Sequence, residues 1–380
     1  MRHRTIHTMF LVVMLVALLC WALRNRTPTE SFSTNASQDL QPEANPKNNR
    51  ATALTGPSSN STVASAEIIP ALILEDLTRD ADLIVVGEAM AVWEEERTTL
   101  DINGQRISAS RMVAQLRVSR VIKGQFDHSS LSYKFFLPES GPKYKEVVTR
   151  QFGLFFLRAE QQRGYIVLHP YYPFVVASPD APEVKGSYFD RVVAQVAHVL
   201  TSPGTTINQR RQAIDVLGEV KTGAATTALR KAADESDITL RMEAIAFLLR
   251  RNDISALSTA EGILLSSVQN VDDYVLKNLA FALEGISDPQ AIPSLARLLE
   301  ADDVQTRRSA AAGLRHTSVE DAIKPLSRAL EDSDREVRYN AVLGLAEITK
   351  QGEWGPSIPK YIEDEQRYLT HWREWVKNRR

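Results

Sequence analysis

Apolar and polar positions change period three times along this chain. Residues 9–23, "MFLVVMLVALLCWAL", are an unbroken apolar run with Arg2, Arg4, Arg24 and Arg26 around it. Residues 27–64 then carry almost no large apolar side chain. From Leu83 short runs rich in Val, Ile, Phe and Tyr follow, and the second of them alternates across Met112, Ala114, Leu116 and Val118. A period of two marks a half-buried strand. From Tyr188 onward the apolar residues recur at helical spacing.

The first two segments predict an uncleaved signal-anchor over 1–26, with a cleaved signal peptide as the alternative, and a disordered linker over 27–64. The apolar run is shorter than the ~20 residues that span a bilayer comfortably, and residues 6–8 can lengthen it. The linker's Ser, Thr, Asn and Pro cannot bury enough surface to offset their ordering entropy. A chain of this kind is expected at the cell membrane, single-pass, with its bulk outside the cytoplasm. A secreted form is the alternative.

Five runs make up the β-rich part, expected over 65–182: "ADLIVVGEAMAVWEEE", "RISASRMVAQLRVSRVIKG", "LSYKFFLP", "VVTRQFGLFFLRAE" and "GYIVLHPYYPFVV". Asn103-Gly104, Gly124, Pro138 to Pro142 and Gly164 separate them. Such spacing predicts a small antiparallel barrel or sandwich. A leading amphipathic helix, Ile68 to Arg79, is expected to close one end, and "VWEEER", Val92 to Arg97, to end a strand in a solvated loop.

A connecting helix, Tyr188 to Thr201 within 187–204, precedes a repeat over 205–353. Leu217, Leu248, Leu283, Leu314 and Leu345 recur at intervals of 31, 35, 31 and 31 residues. Ala213, Ala244, Leu279, Ala310 and Ala341 stand four residues before them. A fixed period with paired helices predicts an α-solenoid, in which neighbours must stack to complete one core. The stretch "RRNDISALSTAEGILLSSVQNVDD" is longer and less regular, and is expected to be a bend or an insertion.

An acid–base pattern recurs at the helix starts: Asp237–Arg241, Asp303–Arg307 and Asp334–Arg338, with Asp273–Lys277 as a variant. Aspartate at a helix start caps free N–H groups. Ser333 with Glu336 also fits a capping box. Each arginine, one turn later, can pair with its own aspartate or with that of the next repeat. An active site seldom recurs four times at one period, so the pattern predicts a structural ladder. In the tail, 354–380, Tyr361, Tyr368, Trp372 and Trp375 share one helix face. They are expected to cap the last repeat, with a partner-docking surface as the sharper alternative.

The helical segments "SDPQAIPSLARLLEADDVQTRRSAAAGL" and "EDAIKPLSRALEDSDREVRYNAVLGLAEI" resemble HEAT repeats of the short bacterial type, also known from phycobilin-lyase relatives. The resemblance spans Asn208 to Thr349 and implies a long surface for binding other proteins. The order "ADLIVVGEA", "LRVSRVIKG", "GLFFL" loosely resembles the OB-like modules of netrin and metalloproteinase-inhibitor domains. The early cysteines of those inhibitors have no counterpart here. The expected fold class is therefore a small OB-like β-barrel followed by an all-α HEAT-repeat solenoid.

Composition narrows the chemistry. The single cysteine, Cys20, allows neither an intrachain disulfide nor a Cys-cluster metal site. A formal net charge of −2 gives no bulk attraction to nucleic acid. The chain has no His-Glu dipeptide, which the resemblance would require of an iron-binding hydroxylase. His128 and His169 are read as surface or turn residues, the "HPYYPF" cluster as a capped barrel edge, and His316 as a loop residue. No catalytic residue, metal, cofactor or small-molecule substrate is identified. The expectation is a non-catalytic scaffold or adaptor, with protein partners of unknown identity and the membrane contacted through the amino-terminal helix. Two alternatives stand beside it. One is a lyase- or hydrolase-like enzyme whose pocket, in or beside the β-domain, holds His169 or His128 with a carboxylate. The other is a ligand-binding or inhibitor β-domain with the solenoid as spacer.

Overall fold

A computed structural model describes residues 72–102, 104–160, 164–266 and 271–379. The expected anchor, 1–26, and linker, 27–64, lie outside the described residues. Among the described residues no helix is long and apolar enough to cross a membrane. The expectation of a transmembrane signal-anchor, with the membrane as partner, is corrected on that finding.

Helix α1 (Leu74–Asp80) leads into a five-stranded sheet: β1 (Leu83–Ile102), β2 (Gln105–Lys123), β3 (Ser130–Pro138), β4 (Phe152–Glu160) and β5 (Gly164–Val167). The strand order β1-β2-β3-β5-β4 returns to β1, so the sheet closes on itself. Among the described residues only β3 and β5 pair in parallel. Leu83 and Val85 enter the interior with Leu116, Tyr133, Phe135, Phe155 and Leu157. Ile84, Val86, Leu154 and Phe156 face the other way, into the core shared with the helices. That two-sided burial explains why "LIVV" and "LFFL" are unbroken apolar runs, as in strands covered on both faces.

Three sequence expectations shift here. Of the leading helix expected over Ile68 to Arg79, Ile68 to Ala71 lie outside the described residues, and the described helix runs Leu74–Asp80. The "GYIVLHPYYPFVV" run is strand only over Gly164–Val167, with one further bridge from Val175 to Leu154. The "VWEEER" stretch is strand throughout, because β1 and β2 continue as a long hairpin closed at Ile102–Gln105. Gly104 holds the turn at φ +81°, and Asp101 accepts its N–H at 2.9 Å. Cross-strand ion pairs stabilise the charged arm: Lys134 reaches Glu95 at 2.9 Å, and Arg111 pairs with Glu96.

Helix α2 (Tyr188–Val199) begins with a Ser187–Asp190 capping box. Its Arg191 donates to the carbonyls of Ile122, 2.8 Å, and Val121, 3.1 Å, fixing it to the end of β2. The array follows as α3 (Ile207–Gly218), α4 (Gly223–Ala232), α5 (Ile238–Arg250), α6 (Leu257–Leu265), α7 (Asp273–Ala282), α8 (Ile292–Leu298), α9 (Val304–Thr317), α10 (Ile323–Ala329) and α11 (Arg335–Thr349). Helices α12 (Ile358–Glu363) and α13 (Glu365–Arg379) end the chain. The second helix of each pair packs on the next in a row, α3, α5, α7, α9, α11, while α4, α6, α8 and α10 lie behind. The aligned leucines Leu217, Leu248, Leu283, Leu314 and Leu345 are fully buried in one continuous core.

Candidate functional site

The recurrent aspartates sit at helix starts. Asp237 accepts from the N–H of Leu240 at 3.0 Å, Asp303 from Thr306 at 2.7 Å, and Asp334 from Glu336 and Val337 at 3.0 and 3.1 Å. The cap of α7 is Asp272, which accepts from Tyr274 at 2.8 Å. Asp273 is instead the first helical residue and pairs with Lys277 one turn on. Because Asp334 is the N-cap of α11, a Ser333–Glu336 box does not form.

The arginines do not bond their own capping aspartates. Each curls back onto loop carbonyls, and Arg307 and Arg338 also reach forward to a carboxylate about one repeat on. Arg307 donates to the carbonyls of Ala301 and Asp302, 2.9 and 3.1 Å, and to the Asp332 carboxylate, 2.9 Å. Arg338 donates to the carbonyls of Asp332 and Ser333, 2.7 and 2.9 Å, and to Glu365, 2.7 Å. Arg241 donates to the Glu235 carbonyl at 2.9 Å, and Arg210 pairs with the Glu235 carboxylate at 3.1 Å. Burial raises the Glu365 pKa, yet the hydrogen bonds from Arg338 and Tyr361 outweigh it and leave the pKa below the usual carboxylate range.

A second set of polar contacts joins each second helix to the next. Arg211 of α3 pairs with Glu243 of α5 at 3.1 Å. Arg250 of α5 donates to Asn278 of α7. Glu284, just past α7, accepts from Ser309 of α9 at 2.9 Å. Arg315 of α9 donates to Glu347 of α11 at 2.8 Å. Phe247, Phe281 and Tyr339 are half-buried on the same helices, and Tyr274 is 75% exposed. His316 belongs to α9, not to a loop, and its Nδ1 lies 2.8 Å from the Glu284 carbonyl.

Where the sheet meets the array a cleft of about 380 Å³ opens, lined by Lys145, Tyr172, Phe174, Asp215, Glu219 and Phe247 among others. The Lys145 ammonium lies 4.0 Å from the centre of the Phe174 ring. Lys145 is exposed as a whole residue, but desolvation of the ammonium lowers its pKa. Burial likewise raises Asp215, against the pull of Arg211. Sequence reasoning missed this cleft, because its members come from two β-domain loops and from two helices of the array, far apart in the chain.

The two histidines considered for catalysis do not line it. His169 rests between Tyr171 and Tyr172, with ring centres 5.8 and 5.3 Å away. Its Nδ1 is buried without a hydrogen-bond partner, and burial lowers its pKa. His128 is exposed, edge-on to Phe126. Among the described residues no three His, Cys, Asp or Glu side chains are placed to hold a metal ion.

The tail aromatics divide. Tyr361, Tyr368 and Trp372 are buried at 1%, 7% and 0% exposure, while Trp375 is only half-buried. Trp372 donates to the Trp354 carbonyl at 3.1 Å.

Residues 263–346 match the HEAT-repeat family. No curated protein matches the chain. Among solved structures, the phycocyanin lyase complex from Nostoc is similar at 22% identity over 46% of this chain and 68% of that one, with a TM-score of 0.33. A designed armadillo repeat protein for modular peptide recognition is similar at 20% identity over 47% of this chain and 98% of that one, also at TM-score 0.33. The YibA protein of E. coli gives 21% identity over 40% of this chain and 58% of its own, at TM-score 0.29. Within the helical array, residues 263–346 are HEAT repeats.

Proposed function

We propose that the protein is a non-catalytic adaptor that binds another protein along the row of second helices, α3 to α11. Stacked repeats of this class generally offer an extended surface to protein partners. The observation that carries the reading is the inter-repeat polar contacts along this row, interspersed with half-buried Phe247, Phe281 and Tyr339. Aromatic residues beside satisfied charges are the composition of protein-binding patches. A photo-crosslinking amino acid at Tyr274 or Phe281 should capture a partner, and one at Thr227 or Ser258 on the first helices should not. The reverse pattern would remove the proposal.

We also assign the β-domain to the OB type. The β1-β2-β3-β5-β4 order with a parallel β3–β5 closure supports it, as does its size of five strands. The cleft between β-domain and array favours a second reading, in which a small ligand binds beside Lys145 and Asp215. A ligand screen by thermal shift tests it. Hits must lose their effect in Lys145→Ala and in Asp215→Asn.

A further inference from the structure

A groove of about 950 Å³ lies between α10 and α13, away from the second-helix row. Its apolar lining is Ile323, Leu330, Trp375 and Val376. Five cations line it, Lys324, Arg328, Arg373, Lys377 and Arg379, against three carboxylates, Glu320, Asp321 and Glu331. Two of those carboxylates are already engaged: Glu331 by Arg373 at 2.7 Å, and Glu320 by Arg379 at 3.1 Å. Lys324, Arg328 and Lys377 are exposed and have no carboxylate within ion-pair distance among the described residues. The Arg379 guanidinium also sits 5.0 Å from the centre of the Trp375 ring. Of the four tail aromatics, Trp375 is the one that lines this groove.

We propose that this groove docks an acidic amphipathic peptide segment of a partner protein. An apolar side chain of the segment would lie against Trp375 and Val376, and its carboxylates would meet Lys324, Arg328 and Lys377. Charge complementarity sets the sign of the partner. The apolar floor requires more than charge, since a polyanion alone would leave the half-buried Trp375 and Val376 uncovered. A tryptophan among cationic side chains also has the composition of a binding hot spot. The site is independent of the second-helix face and could serve a different segment of the same partner.

The test uses the full chain and two fluorescein-labelled amphipathic peptides that share one apolar pattern. One carries Asp and Glu at its polar positions, the other Lys and Arg. Fluorescence anisotropy should show the acidic peptide bound about tenfold or more tightly than the basic one, with an affinity that falls as salt rises. Lys324→Glu combined with Arg328→Glu should abolish that preference without moving the thermal midpoint, and Trp375→Ala should weaken the acidic peptide. Equal binding of both peptides would overturn the proposal, and so would binding that ignores the charge reversals. Two further outcomes also overturn it. One is anionic lipid vesicles or RNA binding with the same dependence on Lys324 while the peptide does not. The other is light scattering that shows the groove closed by a second copy of the chain.

Discussion

Arg308 and Asp334 are joined across a repeat boundary by two parallel hydrogen bonds, Nη2 to Oδ2 at 2.6 Å and Nε to Oδ1 at 2.9 Å. Asp334 thus does two jobs, capping α11 and anchoring α9 to it. Both side chains are mostly shielded, at 28% and 16% exposure. A double-mutant cycle separates the jobs, because Asn also caps helices well. With Asp334→Asn and Arg308→Gln, urea unfolding should return a coupling of about 1–2 kcal/mol, above the ~0.5 of an exposed pair. A coupling near zero would mean that the pair only decorates the boundary.

The same pair predicts an acid dependence. The hydrogen bond from Arg308 holds the Asp334 pKa below the usual carboxylate range. The unfolded chain therefore takes up a proton first as pH falls. The stabilisation is complete above the unfolded value of about 3.9 and is lost as pH drops through the folded value. Asp334→Asn should flatten the difference from wild type across that acid window. An unchanged acid slope in the variant would assign it to other carboxylates.

Much of this architecture was written in the period of the sequence. The leucines at intervals of 31 residues are buried to the last, since one helix pair cannot hide its own apolar stripe. The capping aspartates were legible for the same reason, as helix starts recur with the repeat. Their partners were not. Arg307 reaches Asp332 and Arg338 reaches Glu365, across 25 and 27 residues of chain, and only the stacking distance sets that choice. The one-residue shift from Asp273 to Asp272 as cap of α7 falls in the repeat whose leucine interval is 35 rather than 31 residues, where the period breaks. Charge misled in β1, where Glu94 to Glu96 look like loop but are held in strand by Arg111 and Lys134. The cleft and the groove depend on residues far apart in sequence, so no local pattern could expose them.

Glycine positions in the array give a prediction whose sign depends on space. A Cβ added at Gly313 of α9 would lie 2.8 Å from the Leu283 carbonyl oxygen, a backbone atom that cannot step aside. At Gly262 of α6 nothing lies within 4 Å. Alanine is favoured over glycine in a helix by about 1 kcal/mol. Gly262→Ala should therefore stabilise by roughly 0.5–1 kcal/mol. Gly313→Ala should destabilise by about 1–3 kcal/mol despite the better propensity. Thermal melts of the two variants should move in opposite directions.

The tail aromatics should separate in the same assay. Trp372 is fully buried and hydrogen-bonded to the Trp354 carbonyl, so Trp372→Ala should cost about 3–5 kcal/mol. Trp375 is half-buried, 5.5 Å from Trp372 between ring centres. Trp375→Ala should cost about 1 kcal/mol or less. Equal losses would make Trp375 part of the cap rather than a surface available to a partner.

The terminal cap also carries a titrating group. His371 stacks on Trp354 with ring centres 3.6 Å apart and planes within 3°, and its Nε2 is buried without a partner. Burial lowers its pKa, and the nearby Glu353 and Glu374, which favour the charged ring, do not offset it. The Arg367 guanidinium, 5.5 Å from the Trp354 ring centre, lies on the same indole. A base depressed in the folded state is protonated first in the unfolded one. Stability should therefore be full above the unfolded value of about 6.5 and should decline as pH falls toward the folded value. His371→Phe keeps an aromatic ring for the stack and removes the proton site, so its melting temperature should vary less than that of wild type across this window. His169 is common to both proteins and cancels in the comparison. If the two proteins lose stability in parallel, the proton is taken up elsewhere and the His371–Trp354 stack is no more than packing.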